Sequence, residues 1–368
     1  MQHVLVVGPV PPPYGGIASV IEDIANSELS QDYVFEIFDR SGVFPPWAEG
    51  LIGKNLFRAK RFLRFFKKVQ SGRYHFVHIH SSDPVFLGTT IFMLLSRLAG
   101  VKILLHVHGT DWTSFYSEAP LFKKFYTRIG LELPTKIVVL YQLWIDKIKE
   151  LRPDADIRIL KNFVHDRNPP DTEEIETARQ SLGLAKENFV VLTVGSVGKN
   201  KGSFEILKAV PKVISQDNSI RFVLLGGEEK PGNMAQLTSI VKEEKLGAWV
   251  QLTGELEREK IPAFLGLADI FLLPSFWEGM PVTIIEAMRS GLPIISTPVA
   301  GIPDMIENGV SGLLINPGAP DEIAEAVLLL KRDKVLRKRL AEGGKLTFEQ
   351  KFEFSRGIKE IRDVYAGM

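Results

Sequence analysis

Cysteine is absent from all 368 residues. That removes disulfides, thiolate nucleophiles and cysteine-ligated zinc together, and it fits a reducing compartment. Long apolar runs are missing too. The most hydrophobic helical stretch, residues 85–98, is broken by Gly88, Thr89, Thr90 and Arg97, so it is too short and too polar to span a bilayer. Residues 1–8 carry no basic region and no small-residue cleavage site, and read as a strand, not a signal peptide. Nor is there an excess of one charge: 45 Lys and Arg face 44 Asp and Glu, for a net +1. Attraction to an anionic partner must therefore come from local patches. No nucleic-acid-binding motif appears and no repeat of solenoid length. The expectation is a cytoplasmic protein, at most peripheral on the inner face of the plasma membrane.

What is present is a globular composition, 45% hydrophobic and 24% charged, in a chain long enough for two cores. Short apolar runs at 4–8, 33–39, 75–80, 101–108, 136–140 and 157–160 alternate with helical stretches, the mark of a parallel doubly wound sheet. At 168–172 the sequence Asn-Pro-Pro-Asp-Thr reads as a linker. A second alternation follows, with runs at 189–195, 220–226, 249–252, 270–273, 293–297 and 312–315. The fold class expected is α/β, with two Rossmann-like domains facing each other across a cleft. The first spans residues 1–167 and the second 168–351.

Residues 274–288 hold the densest chemistry. The apolar run 270–273 ends in Pro274-Ser275, a turn through Glu278 and Gly279 follows, and a helix begins near Met280. In open parallel sheets ligands bind beyond the carboxyl ends of the strands, and a helix N-terminus there favours an anion. Glu286 lies eight residues after Glu278, along the same helix.

This Glu-x7-Glu spacing, with Gly279-Met280-Pro281 after the first glutamate, resembles the retaining glycosyltransferases of the large family 4 group (group 1 type), which have the GT-B fold. The resemblance implies that Glu278 binds the donor sugar's hydroxyls, that the N–H groups of Gly279, Met280 and Pro281's successors meet the diphosphate, and that Glu286 holds the ribose. It extends to Gly15 and Gly16, after the first strand, as a loop against the diphosphate. His108, in His108-Gly109-Thr110-Asp111, matches a histidine that contacts the donor sugar. The amphipathic C-terminal stretch, 352–368, matches a helix that crosses back onto the first domain.

The loop Gly195-Ser196-Val197-Gly198-Lys199-Asn200-Lys201-Gly202 is not a Walker A motif, since Asn200 stands where a glycine belongs. It is similar to the family's Gly-Arg-x-x-x-x-Lys-Gly, with Ser196 in place of the arginine and Lys201 matching the lysine. Such cations neutralise a leaving diphosphate. Lys199 is the candidate substitute for the missing arginine. Base contacts are expected from the backbone at Thr253 and Gly254.

His78-x-His80 and His106-x-His108 put four imidazoles on neighbouring strands. No carboxylate with ligand spacing joins them, and His80 reads as a core or strand-end residue. Asp154-Ala155-Asp156 has the letters of a metal-binding pair but sits before a strand, at the end of the sheet away from the site. No metal and no other cofactor is expected.

Between Lys54 and Lys68 lie seven cations and no carboxylate. On a helical projection Ile52, Leu56, Phe62, Leu63, Phe66 and Val69 form an apolar arc expected to pack on the sheet. Phe57 and Phe65 then fall among Arg58, Arg61, Arg64 and Lys68, which suggests contact with an anionic membrane. The function expected is transfer of a sugar from a UDP- or GDP-sugar to a glycan or lipid-linked acceptor, in bacterial polysaccharide or glycolipid synthesis. Alternatives are a nucleotide-sugar epimerase of the same fold and a catalytically degenerate sugar-nucleotide-binding protein.

Overall fold

Strands that are apolar at every position demand cover on both faces, and helices between them provide it. The computed structural model describes residues 1–10, 16–40, 50–82, 87–109, 116–165 and 168–368. Two units are distinguished: residues 1–162 with 354–368, and residues 163–353. Each is built on one six-stranded parallel sheet.

In the first unit the order is β2-β1-β3-β4-β5-β6, with β1 at Gln2–Gly8, β2 at Tyr33–Asp39, β3 at Phe76–Ser81, β4 at Lys102–Val107, β5 at Lys136–Val139 and β6 at Ile157–Ile159. The helices that matter below are α1 (Gly16–Ala25), α2 (Gly50–Val69), α3 (Leu87–Leu98), α4 (Leu121–Leu131) and α5 (Gln142–Leu151). The C-terminal helix belongs to this unit: the Tyr365 ring meets Tyr33 and Phe76 edge-on, with centroids 5.1 and 4.9 Å apart.

In the second unit α6 (Thr172–Ser181) opens with a capping box, in which Asp171 and Glu174 satisfy each other's backbone N–H. The unit's strands are β7 (Phe189–Val194), β8 (Ile220–Leu225), followed by α8 (Asn233–Glu243), β9 (Val250–Gly254), β10 (Ile270–Leu273), β11 (Ile294–Ser296) and β12 (Leu313–Leu314), in the order β12-β11-β10-β7-β8-β9. The site rests on β7 followed by α7 (Ser203–Ile214), on α9 (Ile261–Leu267), and on β10 followed by α10 (Val282–Arg289). Its core packs Val191, Ile206, Val210, Leu224, Leu272 and Ile295 with their neighbours. Among the described residues no helix is long and apolar enough to cross a membrane.

Helix α2 turns only part of the projected arc inward, Phe62, Phe66 and Val69, and adds Phe65 to it. Phe65 is fully buried, and its ring meets Phe38 at 5.3 Å and Phe92 at 4.8 Å, both edge-on. Arg61 donates to the Arg40 carbonyl at 2.6 Å, and Lys68 pairs with Glu36. The inward residues 62, 65, 66 and 69 follow helical spacing, whereas Ile52, Leu56 and Leu63, expected inside, are exposed. The reason is tertiary. Apolar residues ring this helix, and the phenylalanine that completes an aromatic cluster buries more area than the leucines would.

Candidate functional site

Where β7 and β10 end, buried hydroxyls take over from the sheet's own ladder. Thr193 Oγ1 donates to the Leu272 carbonyl at 2.7 Å and Thr297 Oγ1 to the Ser275 carbonyl at 2.6 Å. These bonds satisfy carbonyls that would otherwise be orphaned. Ser275 is thereby fixed, and its own hydroxyl donates to Glu278 Oε1 at 2.8 Å.

Glu278 is buried and also receives Lys201 Nζ at 2.5 Å. A buried carboxylate needs this kind of paired, hydrogen-bonded setting. Lys201 comes from the loop after β7, and that loop is tied to the one after β10 twice more. Phe276 N donates to the Asn200 carbonyl at 2.8 Å, and Asn200 Nδ2 donates to the Trp277 carbonyl at 3.1 Å. Gly202 makes the approach possible. Its φ is +70°, and a Cβ there would stand 2.3 Å from the Pro274 carbonyl oxygen, closer than any side chain tolerates.

The structure thus brings together Lys201 and Glu278. Gly279, whose carbonyl accepts from Gly301 N at 3.0 Å, continues from Glu278 toward α10, whose first turn carries N–H groups with no intrahelical partner. Met280 and Pro281 are buried, Ser196 is half-buried and Lys199 is exposed. Thr253 and Gly254 end the strand β9 (Val250–Gly254) and are half-buried.

Glu286 stands apart from the Lys201 pair. With Arg258, Arg289 and His165 it lines a pocket floored by Ile261, Pro262 and Leu265. Arg289 Nη1 donates to the His165 carbonyl at 2.5 Å. Asp154 and Asp156 face cations, Arg152 at 3.7 Å, and Lys136 and Arg158 at 3.6 and 3.7 Å.

In the first unit Gly16 begins α1 and is exposed, while Gly15 lies outside the described residues. His108 follows β4, its N–H bonded to the Ser81 carbonyl at 2.8 Å. His78, His80, His106 and His108 are all buried. Burial first, then neighbouring imidazoles, push His78, His80 and His108 well below the ordinary 6.5, and burial pushes His106 down to about 3. The four rings are neutral at physiological pH.

The family of glycosyl transferases group 1 matches residues 174–347, most of the second unit. Across the chain, an Escherichia coli UDP-Gal:alpha-D-GlcNAc-diphosphoundecaprenol alpha-1,3-galactosyltransferase is 29% identical over 84% of this chain and 79% of its own length. Most of the second unit is thus similar to the group 1 glycosyl transferases.

A putative teichuronic acid biosynthesis glycosyltransferase, TuaC of Bacillus subtilis, is 25% identical over 78% of this chain and 69% of its own. Among solved structures, Anabaena Alr3699/HepE in complex with UDP and glucose matches all of both chains, with a TM-score of 0.81 and 17% identity. WaaG, a glycosyltransferase involved in lipopolysaccharide biosynthesis, matches 98% of both with a TM-score of 0.73 and 16% identity. These likenesses identify the fold as GT-B.

Several participants carried no signal in the sequence. Ser275 was visible only as part of a Pro-Ser turn, and Asn200 only as a misfit to a phosphate loop. Arg258, Arg289 and His165 carry no motif; only the pocket that the turn before α9, α9 itself, α10 and the chain near 165 line together gathers them. His80, read as a core residue, is in hydrogen-bond contact with His108, as developed below.

Proposed function

We propose that this glycosyl transferase moves a sugar from a nucleoside diphosphate sugar to a glycan or lipid-linked acceptor in bacterial polysaccharide or glycolipid synthesis, with retention at the anomeric carbon and without an essential metal. The observation that carries the reading is the Lys201–Glu278–Ser275 knot at the carboxyl ends of β7 and β10, beside the start of α10. Its carboxylate suits sugar hydroxyls, while the ammonium and helix N–H groups suit a leaving diphosphate.

The transfer breaks the bond from the anomeric carbon to the diphosphate oxygen and forms one to the acceptor oxygen on the same face. The acceptor proton passes to a phosphate oxygen. Lys201, Glu278 and His108 position and stabilise; none attacks. Glu286, with Arg258 and Arg289 in the pocket beside it, suits a ribose and its flanking charge.

Support for a metal-free reaction is geometric. Nitrogens of His78, His80 and His106 lie within 4.8 Å of one another, but two of them are already engaged: His78 Nδ1 with the Tyr365 hydroxyl and His80 Nδ1 with His108 Nε2. Chelation with EDTA should leave turnover within about twofold; a larger loss reversed by added divalent ion would refute this part.

We also propose an anionic membrane as a partner, on a face corrected from the sequence projection. Phe65 is excluded by its burial, and Arg61 and Lys68 by their partners within the fold. What supports the reading is the exposed stripe Ile52, Leu56 and Leu63 on α2 among Arg58, Lys60, Arg64 and Lys67, and a second on α4. There Leu121, Phe122, Phe125 and Ile129 are 51–84% exposed beside Lys123, Lys124 and Arg128, with no carboxylate in the helix. The sheet runs outward from β3 to β5, so right-handed crossovers set α2 and α4 on one face. Phe122→Ser with Phe125→Ser should cut sedimentation with anionic vesicles several-fold at low salt. Equal binding by the variant would reject the surface.

The test of the donor reading is a thermal-shift series with UDP-, GDP- and ADP-sugars, uridine first, since a ligand of the native state raises its stability. No shift with any of them would count against it.

A further inference from the structure

Parallel register sets His80 beside His106, and the side-chain period of two brings His78 and His108 to the same face. Among eight ring nitrogens, His78 Nδ1 bonds the Tyr365 hydroxyl at 2.8 Å and His80 Nδ1 lies 2.9 Å from His108 Nε2. Nε2 of His78, Nε2 of His80 and both nitrogens of His106 are buried without a partner among the described residues. Nδ1 of His108 is not sealed off in this way.

A bond between two neutral imidazoles has a direction. If His108 Nε2–H donated to His80 Nδ1, the His80 proton would sit on Nε2, a buried N–H with no acceptor. In the reverse arrangement His80 Nδ1–H donates, and a bare nitrogen is left there instead. An orphaned buried N–H is the rarer and costlier defect. His108 then accepts at Nε2 and carries its own proton on Nδ1. The Arg40 guanidinium, bonded to Thr89 at 2.9 Å and Ser81 at 3.4 Å, adds a positive charge that opposes a second proton on either ring.

We propose that His80 is a positioning residue that holds His108 in its Nδ1–H tautomer, so that His108 offers its ligand a hydrogen-bond donor and not a basic nitrogen. The ring nitrogen a histidine presents is set by the bond its other nitrogen makes. The functional consequence rests on the reading of His108 as a contact to the donor sugar. In that role Nδ1–H would donate to a hydroxyl oxygen, and His108 would be unable to take the acceptor's proton.

The test uses the full chain with ¹⁵N-labelled histidine, read by long-range proton–nitrogen correlation near pH 7.5. In the wild type His108 should be protonated on Nδ1. His80→Leu should move that proton wholly or partly to Nε2 and lower kcat by roughly tenfold or more, as a wrong tautomer does, with a smaller change in donor KM. His80→Asn, whose amide can donate from the same place, should restore the Nδ1–H form and most of the turnover. His108 protonated on Nε2 in the wild type, or an unchanged tautomer in His80→Leu, would overturn the proposal. If His80→Leu does not fold, the wild-type spectrum and His80→Asn still decide. A tautomer that shifts as expected while turnover stays unchanged would support His80's action and overturn instead the reading of His108 as a sugar contact.

Discussion

The two sheets are both six-stranded and parallel, but their chemistry is opposite. Beyond β7 and β10 the second unit holds an ammonium against a buried carboxylate, with a serine hydroxyl completing the set. On β3 and β4, and just past the end of β4 at His108, the first unit holds four imidazoles that burial keeps uncharged. Sheets of one kind therefore serve two ends. One holds a charged pair in place, while the other places hydrogen-bonding rings without adding charge. The loops decide which: Gly202 lets a lysine-bearing loop fold onto Pro274, whereas the strands β3 and β4 present their rings directly.

The sharpest way to break this contrast is to remove the cation. Lys201→Ala should lower turnover by about 10²–10³-fold, the usual effect of losing one preorganised charge partner, while hydrogen exchange in the first unit stays unchanged. Acid should do the opposite. The unfolded chain's histidines take up protons below about pH 6.5, while the folded ones resist, His106 down to about 3. Stability contributed at this end is thus complete above 6.5 and falls as pH drops, by up to about 1.4 kcal/mol per pH unit for each ring that stays neutral. Protection factors for amide exchange, which remove the intrinsic slowing at lower pH, should fall between pH 7.5 and 5.5 in β3 and β4 more than in β7 and β10; an equal fall would erase the distinction. Gly202→Ala should cost more than about 1 kcal/mol in denaturant unfolding, because its backbone is left-handed and the Pro274 carbonyl blocks a Cβ. Smallest is Ser196→Arg, which should tighten donor binding by about tenfold or less. No change would mean that Lys199 already fills the role.

Much of the scaffold was legible. The twelve strands among the described residues were placed to within a residue or two, because most are apolar runs covered on both faces. Lys201 and Glu278 were legible through their spacing and neighbours. The face of α2 was legible only in part, since the projection placed Phe65 in the basic half and only Phe38 and Phe92, on other elements, draw it inward. His80 was equally hidden: its partner is 28 residues away, and strand register, not local pattern, makes them meet. The pocket beside Glu286 draws on segments more than a hundred residues apart, so no motif could announce it.

The central claim is that Glu278 holds the donor sugar in a glycosyl transfer. Its most direct test is the transfer rate of Glu278→Ala against the wild type, with the nucleotide sugar that gives the largest thermal shift. The account predicts a loss of about 10²–10³-fold, with the nucleoside diphosphate alone still binding. Near-normal transfer by the variant would contradict it.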